Sequence, residues 1–359
     1  MAKKLISTVT AAMCAAVLLM SGCRKASEDE NDKSAYTYAM GTLIQVRVIG
    51  ENAQDKVYAA QQELARIDDL ISYRTEGSLA ESFNNGHETD MSEIADLLEL
   101  SLSMSEETGG AFDITVLPLT ETWQFDRMEE DGFDSESMTV PAEEDIQEAL
   151  AKIGYEKLDF DEESGVLSCD EDGVRIEFGA AGKGYAIGKT VRLLKEQGAD
   201  AALISAGSTI ACFGTKDDGE LWKIAVRDPR GEVSDYIALL SLTDTTVSTS
   251  GDYERYFVQD GVRYHHIVNS LTGFPADSGL MQVTIICEDC ALGDALSTAC
   301  FLLGLDEGIS LANKYNVGAI FVDTDKNVWY NKNSVFSSLE FKGESSGYTL
   351  CEYSRQADN

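Results

Sequence analysis

Apolar and polar residues alternate across 36–50, YTYAMGTLIQVRVIG, and this period of two predicts a strand. The period then lengthens. From Ala53 to Ser72, the residues Val57, Ala60, Leu64, Ile67 and Ile71 recur at intervals of three or four, the stripe of an amphipathic helix. SYRTEGSLAESFNNG (72–86) is polar and predicts a loop. Ser92 to Ser105 predicts a second helix, closed by Gly109-Gly110. AFDITVLPLTETW (111–123) reads as extended chain broken at Pro118, and the acidic, irregular 126–145 as a surface excursion. A helix at 143–153, a strand pair through GVRIEFG (173–179) and a helix at 185–197 follow.

Beyond 200 the pattern is mostly strand: AALISAGSTIACFG, LWKIAVRDP, DYIALLSL, TTVSTSG, RYFVQDGVRYHHIVN and LMQVTIIC. ALGDALSTACFLLG (291–304) and DEGISLANKYN predict helices, VGAIFVDTDKNVWY a closing hairpin, and the residues after about 340 a polar tail. Strands and helices are interspersed without a strict β-α-β rhythm. That favours an α+β fold over a doubly wound one: a single globular domain of mixed, largely antiparallel sheet with flanking helices.

Length supports this reading. The 359 residues suffice for one large or two ordinary domains, and neither a repeat nor a clean linker interrupts 35–340. Charge narrows the function. With 63 acidic against 28 basic residues, the formal net charge is −35. Nucleic acid is excluded as a partner, because phosphate neutralisation needs clustered Lys and Arg. Docking on anionic lipid through a basic patch is excluded for the same reason. An acidic protein that binds an anionic ligand needs a local positive element or a divalent cation to overcome its own field.

Lys3 and Lys4 precede an apolar run from Leu5 to Met20, followed by Ser21-Gly22-Cys23. This is a signal-peptide layout, and its end resembles a bacterial lipobox in which Cys23 carries the lipid. A plain secretory signal or a core helix are the alternatives. Residues 24–34, RKASEDENDKS, are then a solvated tether. The expected division is a signal at 1–22, a lipidated cysteine and tether at 23–35, the domain at 36–340 and a tail at 341–359. Of eight cysteines, Cys287 and Cys290 form the pair CEDC. No second C-x-x-C accompanies it, which argues against zinc; a structural pair or a regulatory disulfide remain.

GAAGKGYAIG (179–188) looks like a phosphate cradle but fits neither familiar template. A Walker A loop would place glycine five residues before Gly182-Lys183, where Glu177 stands (Phe178 is four before), and Ser or Thr after the lysine, where Gly184 stands. A dinucleotide fingerprint would need glycine at Ile187. Asp294 and Thr298 are four residues apart on a predicted helix, so their side chains share a face. A carboxylate and a hydroxyl so placed can hold a hard cation, or can simply be solvated. YHHIVNSLTGFP (264–275) holds two of the three histidines, and on a strand only one of the pair faces a given side. A histidine at a strand end is a candidate general base or a satisfied core residue.

MGT (40–42), SYR…S…FN (72–84), AFDIT (111–115), the Gly-Lys segment, STSGDYERYF (248–257), HHI…TGFP and DALSTA (294–299) occur in this order. Together they resemble the FAD:protein FMN transferase family, also called the ApbE family, over about residues 36–330. The resemblance implies that FGAAGKGYAIG holds the FAD pyrophosphate, with Lys183 as counter-charge. It implies Mg²⁺ on the Ala180 carbonyl and the side chains of Asp294 and Thr298, with Ser297 where some members place a further ligand. Met40, Tyr73, Ala111, Phe112, Asp113, Glu177 and Val268 fall on positions that line FAD, and His266 on the histidine that activates the acceptor hydroxyl. The implied reaction transfers FMN from FAD to a threonine or serine hydroxyl of an exported electron-transport flavoprotein, within a Ser/Thr-Gly-Ala-Ser/Thr-like motif, and releases AMP. Such an enzyme would sit lipid-anchored on the extracytoplasmic face of the membrane. A Mg²⁺-dependent FAD pyrophosphatase and a non-catalytic flavin-binding lipoprotein are the alternatives. The chain departs from the family at Asn269-Ser270, where Asp-Pro is common, at SAGSTI (205–210), and at Glu177, where Asp is common.

Overall fold

In the computed structural model, which describes residues 30–353 apart from 130–132, 134–136, 217 and 332, the alternating stretch at 36–50 is two strands. β1 (Asp32–Ala39) and β2 (Thr42–Ile49) form an antiparallel hairpin. The chain reverses at Met40-Gly41, both with positive φ (52° and 69°). The alternation lapses at Tyr38-Ala39-Met40 and Leu43-Ile44, on either side of the reversal, and that lapse is the only trace of the turn in the pattern.

α1 (Ala53–Ile71) follows as expected. The predicted loop then contains α2 (Leu79–Gly86). Its signal is local: Ser78 caps the helix by accepting from the Glu81 N–H at 3.0 Å, and Glu81 accepts from Gly77 N–H at 3.1 Å. After β3 (Glu88–Asp90) comes α3 (Ala95–Glu107). Pro118 does not break extended chain; it opens α4 (Leu117–Trp123), where its missing N–H costs nothing. α5 (Glu143–Leu150) leads to the small strands β4 (Asp159–Asp161) and β5 (Val166–Ser168).

GVRIEFG joins no ladder. Asn84 clasps it instead, with Asn84 Oδ1 accepting from Ile176 N–H at 2.7 Å and Asn84 Nδ2 donating to Ile176 O at 3.0 Å. Parts of 126–145 are more than an excursion. Met128, Met138 and Val140 pack on a cluster built from Trp123, Phe125, Phe257 and Val268.

α6 (Gly182–Glu196) is followed by the hairpin β6 (Ala201–Ala206) and β7 (Thr209–Phe213). Next come β8 (Trp222–Arg227), β9 (Tyr236–Leu242), β10 (Thr245–Gly251), β11 (Tyr256–Gln259), β12 (Val262–His265) and β13 (Leu280–Cys287). α7 (Cys290–Leu303) and α8 (Leu305–Lys314) precede β14 (Gly318–Asp323) and β15 (Asn327–Tyr330). The expected tail carries β16 (Leu339–Phe341) and β17 (Thr349–Glu352). β17 pairs in parallel with β15 at the sheet edge, and Tyr348 beside it is buried.

The large sheet has nine strands in the order β1-β2-β6-β7-β10-β13-β14-β15-β17. Its faces serve two cores. Ile44, Val46, Val283 and Ile285 face α1, α3, α6 and α7, while Met281, Ile286, Ile320 and Val322 face the sheet β16-β9-β8 through Trp222, Ile224 and Leu240. β13, central and covered on both sides, is accordingly buried without a break from Leu280 to Ile286, its polar residues Gln282 and Thr284 included. The α+β expectation holds. Among the described residues no helix is long and apolar enough to cross a membrane.

Candidate active site

The site is built where α6 crosses α7. A Cβ at Gly184 would lie 2.1 Å from the Cys290 carbonyl oxygen and 2.6 Å from Asp294 Cβ. Only glycine permits this approach, and this explains the middle of the Gly-Lys-Gly triplet. The close crossing lets the Gly184 N–H, a donor orphaned in the first turn of α6, reach Asp294 Oδ2 at 2.9 Å. Among the described residues the Ala180 carbonyl, four residues back, accepts no backbone hydrogen bond. The other Asp294 oxygen, Oδ1, accepts from Thr209 Oγ1 at 3.0 Å and lies 3.8 Å from Lys183 Nζ. Lys183 also donates to Gly179 O at 3.3 Å.

Ser297 and Thr298, on the same helix as Asp294, both contact Ser250 at the end of β10, at 2.8 and 3.0 Å. One buried carboxylate, three hydroxyls and one unpaired carbonyl are all hard oxygen donors. That set suits Mg²⁺, which takes one or two protein carboxylates and completes its shell with water and substrate phosphate. Among the described residues no cluster of three or more His, Cys, Asp or Glu forms a denser metal cage.

The adjacent histidines part company. His265 is a satisfied core residue: Nε2 donates to Ala276 O at 3.0 Å, Nδ1 accepts from Ile267 N–H at 3.3 Å, and its ring stands edge-on to Phe301. The His266 N–H donates to Arg255 O at 3.0 Å, and its Nδ1 is buried without a partner. Burial, with the charges of Arg255, His265 and Lys183, holds its pKa well below the usual histidine value. His266 is therefore neutral at pH 7, with a ring nitrogen able to accept a proton.

Glu177 lies within the influence of Arg255 and Arg74. Burial outweighs both cations and pushes its carboxyl up to about 7. Burial and the Glu177 charge raise the phenol of Tyr73. Arg74 lies over the Tyr73 ring and reaches Asp126 at 2.8 Å. Charge coupling thus runs in a line from Lys183 through His266, Arg255 and Glu177 to Tyr73.

The remaining expected residues frame this line. Glu177 N–H donates to Ile114 O at 2.9 Å, and Ser270 N–H to Ala111 O at 3.2 Å, which joins AFDIT to both the Gly-Lys segment and the TGFP turn. Val268 bridges Pro275. Asn269 Oδ1 accepts from Leu271 N–H at 2.9 Å, so the Asn-Ser departure keeps a tight turn by an Asx bond. Ala111 and Phe112 are buried. Asp113 offers its side chain inward: Oδ1 accepts from the N–H and hydroxyl of Thr115, and Oδ2 from Tyr155 N–H at 2.8 Å. Its carboxylate shapes the loop. Met40 donates its N–H to Asp68 Oδ2 at 2.8 Å, which ties the β1–β2 turn to α1.

Sequence reasoning missed Thr209, Ser250 and Arg255 as site residues. Ser250 and Arg255 lie within STSGDYERYF and Thr209 within SAGSTI, but nothing local marks them. The six cysteines among the described residues, Cys287 and Cys290 included, are free thiols. Cys23 lies outside the described residues.

The sequence profile of the ApbE family matches residues 40–321. The FAD:protein FMN transferase of Treponema pallidum is 31% identical over 314 residues, covering 80% of this chain and 84% of its own. That of Klebsiella pneumoniae is 29% identical, covering 87% and 91%. Among solved structures, the ApbE protein of Thermotoga maritima superposes with a TM-score of 0.75 at 32% identity, over 85% of this chain and 98% of that one. The apo flavinyl transferase ApbE of Pseudomonas stutzeri gives 0.71 at 28%, over 87% and 98%. A profile that runs from the β1–β2 turn into β14 takes in the α6–α7 crossing and both histidines, and on that span this chain belongs to the ApbE family.

Proposed function

We propose that this protein is an FAD:protein FMN transferase that moves FMN from FAD to a threonine or serine hydroxyl of an acceptor flavoprotein. The observation that carries the mechanism is the α6–α7 crossing at Gly184. It sets Asp294, Lys183 and the Ala180 carbonyl around one helix N-terminus, where an anionic group is favoured. In a chain of formal charge −35, such a local positive site is what a pyrophosphate requires.

The Ala180 carbonyl, Asp294 and Thr298 would hold Mg²⁺. Bound there, it would neutralise charge on the pyrophosphate. The chain's own residues supply the rest. Lys183 counters phosphate charge from α6. The Tyr73 ring and the backbone of 111–113 frame the flavin. His266 takes the proton of the acceptor hydroxyl through its unpartnered ring nitrogen. The hydroxyl oxygen bonds to the FMN-side phosphorus, the P–O bond to AMP breaks, and AMP leaves with the electron pair.

We also infer that Cys23 is lipidated and anchors the enzyme on the extracytoplasmic face of the membrane, where exported acceptors carrying the Ser/Thr-Gly-Ala-Ser/Thr-like motif would meet it. Support comes from the basic start, apolar run and Ser-Gly-Cys junction of the sequence.

The test incubates the protein with FAD, Mg²⁺ and an acceptor bearing that motif, then weighs the acceptor. A mass increase of one FMN, with AMP released in equal amount, supports transfer. Free FMN and AMP with no labelled acceptor would replace it by a pyrophosphatase.

A further inference from the structure

Ser250 is the middle of a hydroxyl chain whose direction can be worked out. Ser297 Oγ donates its proton to the backbone carbonyl of Asp294, 2.8 Å away. A hydroxyl has one proton to give. In the 2.8 Å contact between Ser250 and Ser297, the donor is therefore Ser250. The Ser250 proton is then committed, so the 3.0 Å contact between Ser250 and Thr298 makes Thr298 the donor. The order runs from Thr298 to Ser250 to Ser297 to the Asp294 carbonyl.

Two consequences follow for a cation beside Asp294. Thr298 is half-buried and donates its proton to Ser250, so its oxygen keeps lone pairs with which to accept. Ser297 is only 1% exposed; its hydroxyl donates to the Asp294 backbone carbonyl and its oxygen already accepts from Ser250. We propose that Ser250 is a positioning residue that sets the proton direction of the site, so that Thr298 and not Ser297 is the hydroxyl that meets the metal. The inference rests on the Mg²⁺ reading above and deepens it. A hydroxyl that donates into a chain of hydrogen bonds becomes the better acceptor for a positive charge, whereas one free to turn has no fixed lone-pair direction. Such outer partners fix ligand orientation without touching the metal.

The probe is Mn²⁺ alone, titrated into the full chain and followed by the electron paramagnetic resonance signal of the free ion. Ser250→Ala and Thr298→Ala are each expected to weaken Mn²⁺ affinity about 10- to 100-fold. Ser250→Thr, which keeps the hydroxyl, restores affinity. Ser297→Ala is expected to fall between the wild type and Thr298→Ala, because the freed Ser250 hydroxyl accepts from Thr298 in only one of its orientations. Circular dichroism and thermal melting of each variant separate loss of the ion from loss of the fold. Wild-type affinity in Ser250→Ala overturns the proposal, as does a loss in Ser297→Ala equal to that in Thr298→Ala, which needs no variant at 250. Failure of the wild type to bind Mn²⁺ overturns the metal reading itself, and the proposal with it.

Discussion

Alanine at Gly184 sets two effects of opposite sign against each other. In an open helix the change from glycine to alanine stabilises by about 1 kcal/mol. At 184 the added Cβ would lie 2.1 Å from the Cys290 oxygen, 2.6 Å from Asp294 Cβ and 2.8 Å from the Cys290 carbonyl carbon. Two of these atoms are α7 backbone and cannot rotate away. Carbon atoms pack at about 3.5–4.0 Å, so the helices must part by roughly 1 Å. Parting by that much stretches the 2.9 Å bond from Gly184 N–H to Asp294 out of hydrogen-bonding range. Overpacking costs about 1–3 kcal/mol and the lost bond to a charged acceptor about 1.5–3 kcal/mol. After the gain in helix propensity, the net loss is roughly 2–5 kcal/mol. Gly188, one turn later on the same helix, is the control. A Cβ there meets Cys290 Cβ at 3.4 Å and Sγ at 3.9 Å, ordinary contacts, so Gly188→Ala is expected to be neutral or up to about 1 kcal/mol more stable. Denaturant midpoints of the three proteins, with the Mg²⁺ dependence of FMN transfer, decide the matter. A Gly184→Ala protein stabilised like Gly188→Ala, with unchanged Mg²⁺ dependence, would refute the contact and the placement of Asp294 that depends on it.

Asp294→Asn keeps an oxygen for the Gly184 N–H but removes the charge, so the variant is expected to fold and to lose transfer; full activity at the original Mg²⁺ concentration would dispose of the metal assignment. His266→Ala is expected to bind FAD and to transfer FMN about 10²–10⁴-fold more slowly, checked by mass spectrometry of the acceptor; parallel loss of binding and transfer would make it a ligand-shaping residue. Because burial holds the His266 pKa well below the usual value, wild-type transfer should stay flat as pH falls through the ordinary histidine range and drop only below it; a rate midpoint at about 6.5 would contradict this. Glu177 is raised from 4.5 to about 7, so between those values the folded protein holds a proton that the unfolded chain has lost, and stability falls as pH rises through the window. Glu177→Gln should flatten that slope, read as the denaturant midpoint against pH; an unchanged slope would show that Glu177 ionises normally. Cys23→Ser is expected to move the protein from the membrane to the soluble fraction while leaving transfer in vitro intact; an inactive variant would contradict the tether.

Periodicity made the helices α1, α3 and α6 legible, because each buries one stripe of side chains and a stripe leaves its spacing in the sequence; α7, buried nearly all round, was legible as a long run of small and apolar residues. The strands around β10 and β13 were legible for the same reason, through runs of β-branched residues. Motif order made the family legible, and the i, i+4 spacing placed Asp294 and Thr298 on one face before any coordinates. Turns were harder. The reversal at Met40-Gly41 breaks the alternation for only a few residues, α2 is too short and polar for a stripe, and Pro118 starts a helix where it could equally have ended a strand. The C-terminal segment was misjudged because an edge strand paired on one side carries little apolar signal. Which residues complete the site was decided only by tertiary structure. Thr209 reaches Asp294 across 85 residues and Ser250 reaches Ser297 across 47, and hydrogen bonds between side chains so far apart leave no local spacing to read. The two histidines make the same point at a separation of one residue. Sequence names both as candidates, and only packing shows that His265 spends its ring on Ala276 and Ile267 while His266 keeps a buried nitrogen unpaired.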